Sequence, residues 1–417
     1  MLRLLIPAAL ALTAGAVATL IHPRDAAHGP AAIELAPGNV AAQPAAEPAP
    51  APAPAVPPPP ASVNVAAEAM LFDLSSGRTL YAHEAERRFL PASVTKVMTA
   101  FVAFELLEQG RLRPGQRMMV SDHAWREWHA KGSRMFLERG SQPTVDDLLM
   151  GITTVSANDA AVVLAEGALG SNEAWLAAMN ARARALGMNG SHFATPNGFP
   201  DRGQTYVTAR DLMRLANALI GEHPQLYRRY FGHPAMDWRG ARLTSHDPFA
   251  GGVLPGADGI KTGHTFEAGF NFLGAVERGG RRLVLVVAGV WSEPQRAAAA
   301  KALAEWGYAA WDSRPLGDAG MVVGQARVQQ GDARRVPLAL PRKFTLAVPK
   351  GTHPAVTTRI VYTGPLQAPI PKGAQVAGLE VQIAGQPVHY LPLVTTQAVG
   401  KAGPFDRLRN GLLGAFE

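Results

Sequence analysis

The chain has 417 residues, 47% of them hydrophobic and 18% charged, which leaves room for two ordinary domains and excludes a wholly disordered polymer. It has no cysteine, so disulfides, thiolate metal sites and a cysteine nucleophile are all excluded. The formal net charge is +7, and the whole excess is C-terminal: from Arg327 onward eleven Lys/Arg face four Asp/Glu, which leaves 29 of each before it.

Met1 to Arg3 is a short basic start, and Leu4 to Ile21 is apolar except for Thr13 and Thr19. Ala16 and Ala18 supply the small residues at which a signal peptidase cuts, so residues 1–24 read as a signal peptide or, uncut, as a membrane anchor. Residues 25–61 are dominated by Ala and Pro and end in Pro57 to Pro60, a composition that favours extended spacer geometry over a packed core. Ala67 to Asp73 and Arg78 to His83 are β-like runs around Ser75-Ser76-Gly77 and predict a hairpin. Ser93 follows Pro91 and precedes Val97, Met98, Phe101, Val102 and Leu106, whose spacing of three and four predicts a helix with one apolar face, closed by Gly110. Ser93 therefore stands at a helix N-terminus. Helical patterns dominate from Val145 to Leu219, with Gly, Pro and Asn clusters at Gly187 to Gly190 and Pro196 to Gly203 as breaks. Strands return at Gly259 to Thr262, Phe270 to Val276 and Arg282 to Val290, followed by a helix over Pro294 to Trp306. Strands at both ends of a helical middle predict an α/β architecture in which an antiparallel sheet is sandwiched with helices over residues 62–315. From 316 to 396 short β runs such as Phe344 to Val348, Thr358 to Tyr362 and Leu379 to Ile383 predict a small all-β C-terminal domain. Within 397–417, Phe405, Leu408, Leu412 and Phe416 give a terminal helix an apolar edge, which fits either an interfacial membrane anchor or docking on the protein itself.

Ser93-Val94-Thr95-Lys96 is the first chemical constellation. Residues i and i+3 share a helix face, so the Lys96 amine can reach the Ser93 hydroxyl and take its proton. Taken alone, S-x-x-K describes an N-capping serine beside a solvated lysine equally well. Ser156-Ala157-Asn158, between two helical segments, and Lys261-Thr262-Gly263, on a strand behind the turn at Asp258-Gly259, change that balance. Together the three runs match the S-x-x-K, S-x-N and K-T-G signature of β-lactamases and penicillin-binding proteins. From about Ala67 to Val394 the chain resembles the D-alanyl-D-alanine carboxypeptidase family of low-molecular-mass penicillin-binding proteins. Pro91 to Thr99, Gly132 to Leu137, Asn158-Asp159-Ala160 and Asp258 to Thr265 carry the resemblance, and Ala368-Pro369-Ile370 and Pro392-Leu393 look like the family's C-terminal module. The implied fold is a β-lactamase/transpeptidase-like domain followed by the small β module.

The resemblance implies a serine D-alanyl-D-alanine carboxypeptidase that trims peptidoglycan stem peptides and is acylated by β-lactams. Ser93 is the expected nucleophile, Lys96 its base, and Ser156 the relay to the leaving amine. Lys96 fills its role only if burial and the Lys261 charge bring its proton affinity down by roughly three units. Asn158 is expected to position the peptide or Lys96. Lys261 and Thr262 are expected to bind the terminal carboxylate, with Gly263 completing the motif. The resemblance places the oxyanion donors on the backbone N-H groups of Ser93 and His264. Arg296 resembles in position an arginine that the family uses near the carboxylate; the alternative is an ordinary surface arginine. Thr244 to Pro255 departs from the family's Asn- and Leu-rich approach to the lysine motif, which puts substrate contacts there in doubt. No cofactor is implied. The histidines show no zinc-peptidase spacing and read as solvated. Glu166, Glu173 and Glu222, the glutamates between the second and third motifs, form no deacylating loop motif of the kind class A β-lactamases use. A D,D-endopeptidase would carry the same groups, and a scaffold that binds peptidoglycan without catalysis is the reading outside enzymes. The implied location is outside the inner membrane, in the periplasm or on that membrane's outer face. There the basic C-terminal part is either a plain solvated surface or a face attracted to anionic lipid or cell-wall polymer, with no nucleic acid involved.

Overall fold

The structure, a computed structural model, describes residues 56–403 and the backbone of one further strand, β1 (Ala31–Glu34). The signal or anchor segment, most of the Ala/Pro spacer and the helix expected over Phe405 to Phe416 lie outside the described residues. The end of the spacer is docked: the Trp306 indole N-H donates to the Pro57 carbonyl at 2.9 Å.

A hairpin opens the first body, β2 (Glu68–Asp73) and β3 (Arg78–His83). After a 3₁₀ turn over Ala92–Thr95 come α1 (Lys96–Glu108), α2 (Asp122–Trp128), α3 (Val145–Thr154), α4 (Asn158–Leu169), α5 (Asn172–Ala185), α6 (Ala209–Glu222) and α7 (Pro224–Tyr230). A small hairpin, β4 (Ala235–Trp238) and β5 (Ala241–Thr244), leads to β6 (Ala257–Thr265), β7 (Gly269–Arg278), β8 (Arg281–Val290) and α8 (Glu293–Ala310). The main sheet is antiparallel with order β3-β2-β8-β7-β6. β8 is its middle strand, and the unbroken apolar run Leu283 to Ala288 is what a strand covered on both faces requires. One face packs on α8 through Leu303, Ala299 and Trp306, and the other on the helical layer built around α1.

α1 departs from the one-faced helix expected. Ala100, Ala103 and Phe104 are buried along with the predicted apolar face, so the helix is enclosed on nearly every side. Alanines carry little hydrophobic weight in a periodicity count, yet they let neighbouring helices approach closely, and a helix apolar all round belongs inside a core.

The C-terminal body comprises β9 (Trp311–Gly317), β10 (Val322–Gln329), β11 (Arg335–Ala339), β12 (Phe344–Pro349), β13 (Val356–Tyr362), β14 (Leu366–Gln367), β15 (Gln375–Ile383) and β16 (His389–Thr395). Its larger sheet has the order β1-β13-β15-β16-β11-β10-β14, and β9 pairs separately with β12. Strand alternation lets β12 serve two cores, with Phe344, Leu346 and Val348 in the C-terminal one and Ala347 against the first body. Residues within 397–403 join this body through bridges from Ile370 to Val399 and from Gly331 to Lys401. Among the described residues no helix is long and apolar enough to cross a membrane.

Candidate active site

The 3₁₀ turn delivers Ser93 to the start of α1, and Lys96 follows one turn later, fully enclosed at 1% exposure. Lys96 Nζ has three neighbours: Ser93 Oγ at 2.9 Å, Asn158 Oδ1 at 2.7 Å and the Asn197 carbonyl at 2.7 Å. Burial drives its proton affinity well below the ordinary lysine range, the Lys261 charge acts in the same direction, and Asp159 opposes them. A neutral amine has two N-H groups and one lone pair. The two carbonyl oxygens can only accept and so take the N-H groups, which aims the lone pair at the one neighbour able to donate, the Ser93 hydroxyl.

Asn158 is fixed at the first turn of α4, where its Nδ2 donates to the Lys131 carbonyl at 3.2 Å and its backbone N-H to the Ser133 carbonyl at 2.8 Å. Asp159 next to it accepts from the backbone N-H groups of Met135, Leu137 and Ala160, tying the Gly132 to Leu137 segment to α4. Ser156 lies in the break between α3 and α4 with φ of 62°, and Ala92, just before the nucleophile, has φ of 48°. Left-handed non-glycine residues of this kind gather where the surroundings over-determine a site's geometry.

β6 closes the site from the opposite side. Lys261 is buried, its amine donates to the Thr262 carbonyl at 3.0 Å, and its pKa is lowered to about 7 by burial, with Asp247 opposing and Arg296 adding to the shift. Gly263 abuts the nucleophile's turn so closely that a Cβ there would sit 2.4 Å from the Pro91 carbonyl and 3.1 Å from Ser93 N. Gly198 does the same from the other flank, its φ of 73° bringing it to where a Cβ would meet the Ala92 carbonyl at 1.9 Å. His264 stacks on Phe270 with centroids 3.9 Å apart. Arg296 is 2% exposed on α8 and donates to Glu293 at 2.9 Å, which is not the setting of an ordinary surface arginine.

Ser93, Ser156, Thr262, Gly263, His264 and Arg296 all line one cleft of about 210 Å³, while Lys96 and Lys261 stand buried beside that lining. A larger groove of about 420 Å³ is walled by the Leu90 to Ala92 segment, Gly198 to Gly203, Thr205, Thr265 and Glu267; it holds none of the groups that touch Lys96 Nζ through a side chain. Glu166 is engaged instead by Ser121, His123 and Asn172, and Glu222 by Arg182.

Several residues escaped the sequence reading. Ser133 and His246 line the cleft, with Ser133 Oγ and His246 Nε2 3.5 Å apart, and burial followed by the Lys261 charge lowers the His246 pKa. His246 and Asp247 come from the very stretch that departs from the family pattern. His246 is itself exposed, but the expectation of solvated histidines fails at His223, which is 4% exposed between Phe101 and Phe104, and at His389, whose pKa falls to about 4 through burial and the Arg78 charge. Loop position on its own carries no information about burial. The Asn197 carbonyl was invisible for another reason: a main-chain acceptor leaves no residue-type signal. Gly132-Ser133 was visible as a motif but without a role attached.

The family model described as D-alanyl-D-alanine carboxypeptidase matches residues 55–292, and the one described as penicillin-binding protein 5, C-terminal domain, matches residues 311–401. D-alanyl-D-alanine carboxypeptidase DacD of Salmonella typhimurium is 32% identical over 343 residues, 81% of this chain and 87% of the relative. DacA of Haemophilus influenzae is 31% identical over 346 residues, covering 82% and 88%. Among solved structures, penicillin binding protein 5 from Haemophilus influenzae superposes with a TM-score of 0.69 at 30% identity, covering 83% of this chain and all (100%) of that one. Penicillin-binding protein D2 from Listeria monocytogenes, solved in its cefotaxime-bound form, gives a TM-score of 0.53 at 29% identity over 58% of this chain and 97% of its own. The chain belongs to the D-alanyl-D-alanine carboxypeptidase family.

Proposed function

We propose that the protein is a serine D-alanyl-D-alanine carboxypeptidase that removes the terminal D-alanine from peptidoglycan stem pentapeptides through an acyl-enzyme on Ser93, and that penicillins acylate the same hydroxyl. The observation that carries this reading is the buried Lys96 amine, held by two carbonyl acceptors and 2.9 Å from Ser93 Oγ. In the proposed reaction Ser93 Oγ attacks the carbonyl carbon of the penultimate D-alanine while its proton passes to Lys96. The developing oxyanion accepts from the backbone N-H groups of Ser93 and His264. When the C-N bond breaks, the leaving amine takes a proton relayed through Ser156. Water then attacks the ester carbon as Lys96 takes its proton, and Lys96 returns that proton to Ser93 Oγ as the ester C-O bond breaks, which restores both groups. Lys261, Thr262 and Arg296 receive the substrate's terminal carboxylate, and Asn158 holds Lys96 in line.

A division into two domains accompanies this reading, with 62–315 as the catalytic domain and 316–396 as the β module, and β9 (Trp311–Gly317) spans the junction between them. The protein is assigned to the periplasm or the outer face of the inner membrane, and the basic C-terminal part is assigned a peripheral contact with anionic lipid. The basic start with its apolar run, and the C-terminal charge excess, support these assignments. The cefotaxime-bound form of the Listeria relative supports the β-lactam part. Intact-mass analysis after incubation with benzylpenicillin, with peptide mapping, should find one adduct, on Ser93. Absence of an adduct, or D-alanine release by a Ser93→Ala variant at the wild-type rate, would defeat the assignment. Rapid turnover of benzylpenicillin would instead favour a β-lactamase. Preference for cross-linked dimer over pentapeptide would favour an endopeptidase.

A further inference from the structure

Two aromatic side chains stand almost wholly in solvent at one end of the main sheet: Phe266, 97% exposed in the turn from β6 to β7, and Trp291, 89% exposed just after β8. Thr265 lies opposite Gly269 and Phe270 opposite Val290, so β6 and β8 finish, and β7 begins, at this same end. The cleft opens there too. Phe266 is two residues beyond His264 and Trp291 two before Glu293, and both His264 and Glu293 line the cleft with Ser93. At about 3.3 Å per extended residue, each aromatic backbone is within about 7 Å of a cleft-lining one.

Neither ring serves the fold. Trp291 directly precedes Ser292, the N-cap of α8, where an apolar residue ordinarily tucks against the helix, yet its exposure shows that it does not. The turn holding Phe266 is closed by the Thr265 hydroxyl accepting from Ala268 N-H at 3.1 Å, with no part played by the ring. Single exposed apolar residues are commonplace. These two, however, are the most exposed large apolar side chains among the described residues, and both flank the mouth of the same cleft.

We infer that Phe266 and Trp291 form a rim that docks the glycan of polymeric peptidoglycan while its stem peptide occupies the cleft, an inference that rests on the substrate class proposed above. A five-residue stem reaches at most about 18 Å when extended, so a stem engaged at Ser93 keeps its sugar close to the rim. A pyranose offers an apolar C-H face to a ring and hydroxyls at its edge to neighbouring acceptors. Glu267 supplies such an acceptor next to Phe266, and its charge disfavours an anionic lipid headgroup as the occupant; Glu293, near Trp291, is already engaged by Arg296.

The test uses the full chain in two backgrounds. With Ser93→Ala abolishing turnover, co-sedimentation with insoluble peptidoglycan should weaken about tenfold on adding Phe266→Ala and Trp291→Ala, in keeping with two lost ring contacts. In the active chain the same pair should lower kcat/KM about tenfold on polymeric pentapeptide peptidoglycan, through KM, and leave a short soluble peptide ending in D-alanyl-D-alanine unaffected. Phe266→Tyr with Trp291→Phe should restore both. Unchanged binding and rates on the polymer overturn the inference, as does an equal loss on the short peptide. Loss of binding to anionic vesicles with polymer binding intact also overturns it, in favour of a membrane. If the wild type cleaves neither substrate but its polymer binding still depends on both rings, the catalytic reading fails and the docking surface stands.

Discussion

Adding one methyl group at Gly263 tests the closeness of β6 to the nucleophile. Nothing in this residue's own backbone demands glycine, since its φ is outside the left-handed region. A Cβ would nevertheless lie 2.4 Å from the Pro91 carbonyl and 3.1 Å from the backbone nitrogens of Ser93 and Val94. Ordinary contact begins at 3.4 Å, so the strand and the turn must part by about 1 Å, and both partners are main chain with no side chain free to swing aside. Overpacking of this kind costs roughly 1–3 kcal/mol of stability. A 1 Å displacement between reacting groups costs about 10²-fold in rate. Gly263→Ala should therefore acylate with a fluorescent penicillin about 100-fold more slowly than wild type in rapid-mixing experiments. Gly110→Ala is the control: its φ is 70° with nothing within 4 Å, so it should lose about 1 kcal/mol of stability in urea titrations and acylate normally. Wild-type acylation by a folded Gly263→Ala protein would refute the argument.

The two buried lysines make the site sensitive to pH. Lys261 titrates at about 7 in the folded chain against 10.5 for a free lysine, so between these values the unfolded chain holds more protons and stability rises with pH. Urea midpoints should increase from pH 7 to 9, and Lys261→Met should flatten that rise; an unchanged slope in the variant would contradict the assignment. Because the Lys261 charge helps to depress Lys96, Lys261→Gln should move the acidic limb of the acylation profile to higher pH, and a stationary limb would show that burial acts alone. Arg296→Ala should lower kcat/KM on a peptide with a free C-terminal carboxylate by about 2 kcal/mol, roughly 30-fold, and spare the C-terminally amidated peptide; equal losses on both would remove Arg296 from carboxylate recognition. Asp73 and Arg281 form an ion pair at 2.8 Å with side-chain exposures of 0% and 8%, so Asp73→Ala should cost about 3–5 kcal/mol in urea unfolding without slowing acylation below the transition.

The chemistry was legible wherever it rests on side chains set at short, fixed spacing. Ser93 and Lys96 announce themselves because one helical turn brings them together, and Lys261-Thr262 because a strand carries them. What joins these segments was not legible. Asn197 reaches Lys96 through a carbonyl, Gly263 and Gly198 act through what they lack, and His246 is recruited from a loop whose path depends on β4 and β5. The same limit applied to the fold. The β2–β3 hairpin and the core strand β8 follow from alternation and from an unbroken apolar run. That Ser75 and Arg78, at this hairpin's turn, bond to Thr345 and Ala347 of β12 depends on contacts some 270 residues apart, which no local pattern encodes.

The enclosure of α1 and the chemistry of Lys96 have one origin. An amphipathic helix would leave one side of Lys96 to water, and a hydrated ammonium would keep its proton. With Ala100, Ala103 and Phe104 buried as well, the first two turns of the helix have no wet face, and the amine at its start is deprived of solvent by the same packing that builds the core. Ala92 and Ser156 in the left-handed region and two lysines inside one interior are each unfavourable, and none would persist in a loosely packed domain. The apolar layers on both sides of β8 offset these costs, so the base's strength is set by the whole interior and not by the three atoms it touches.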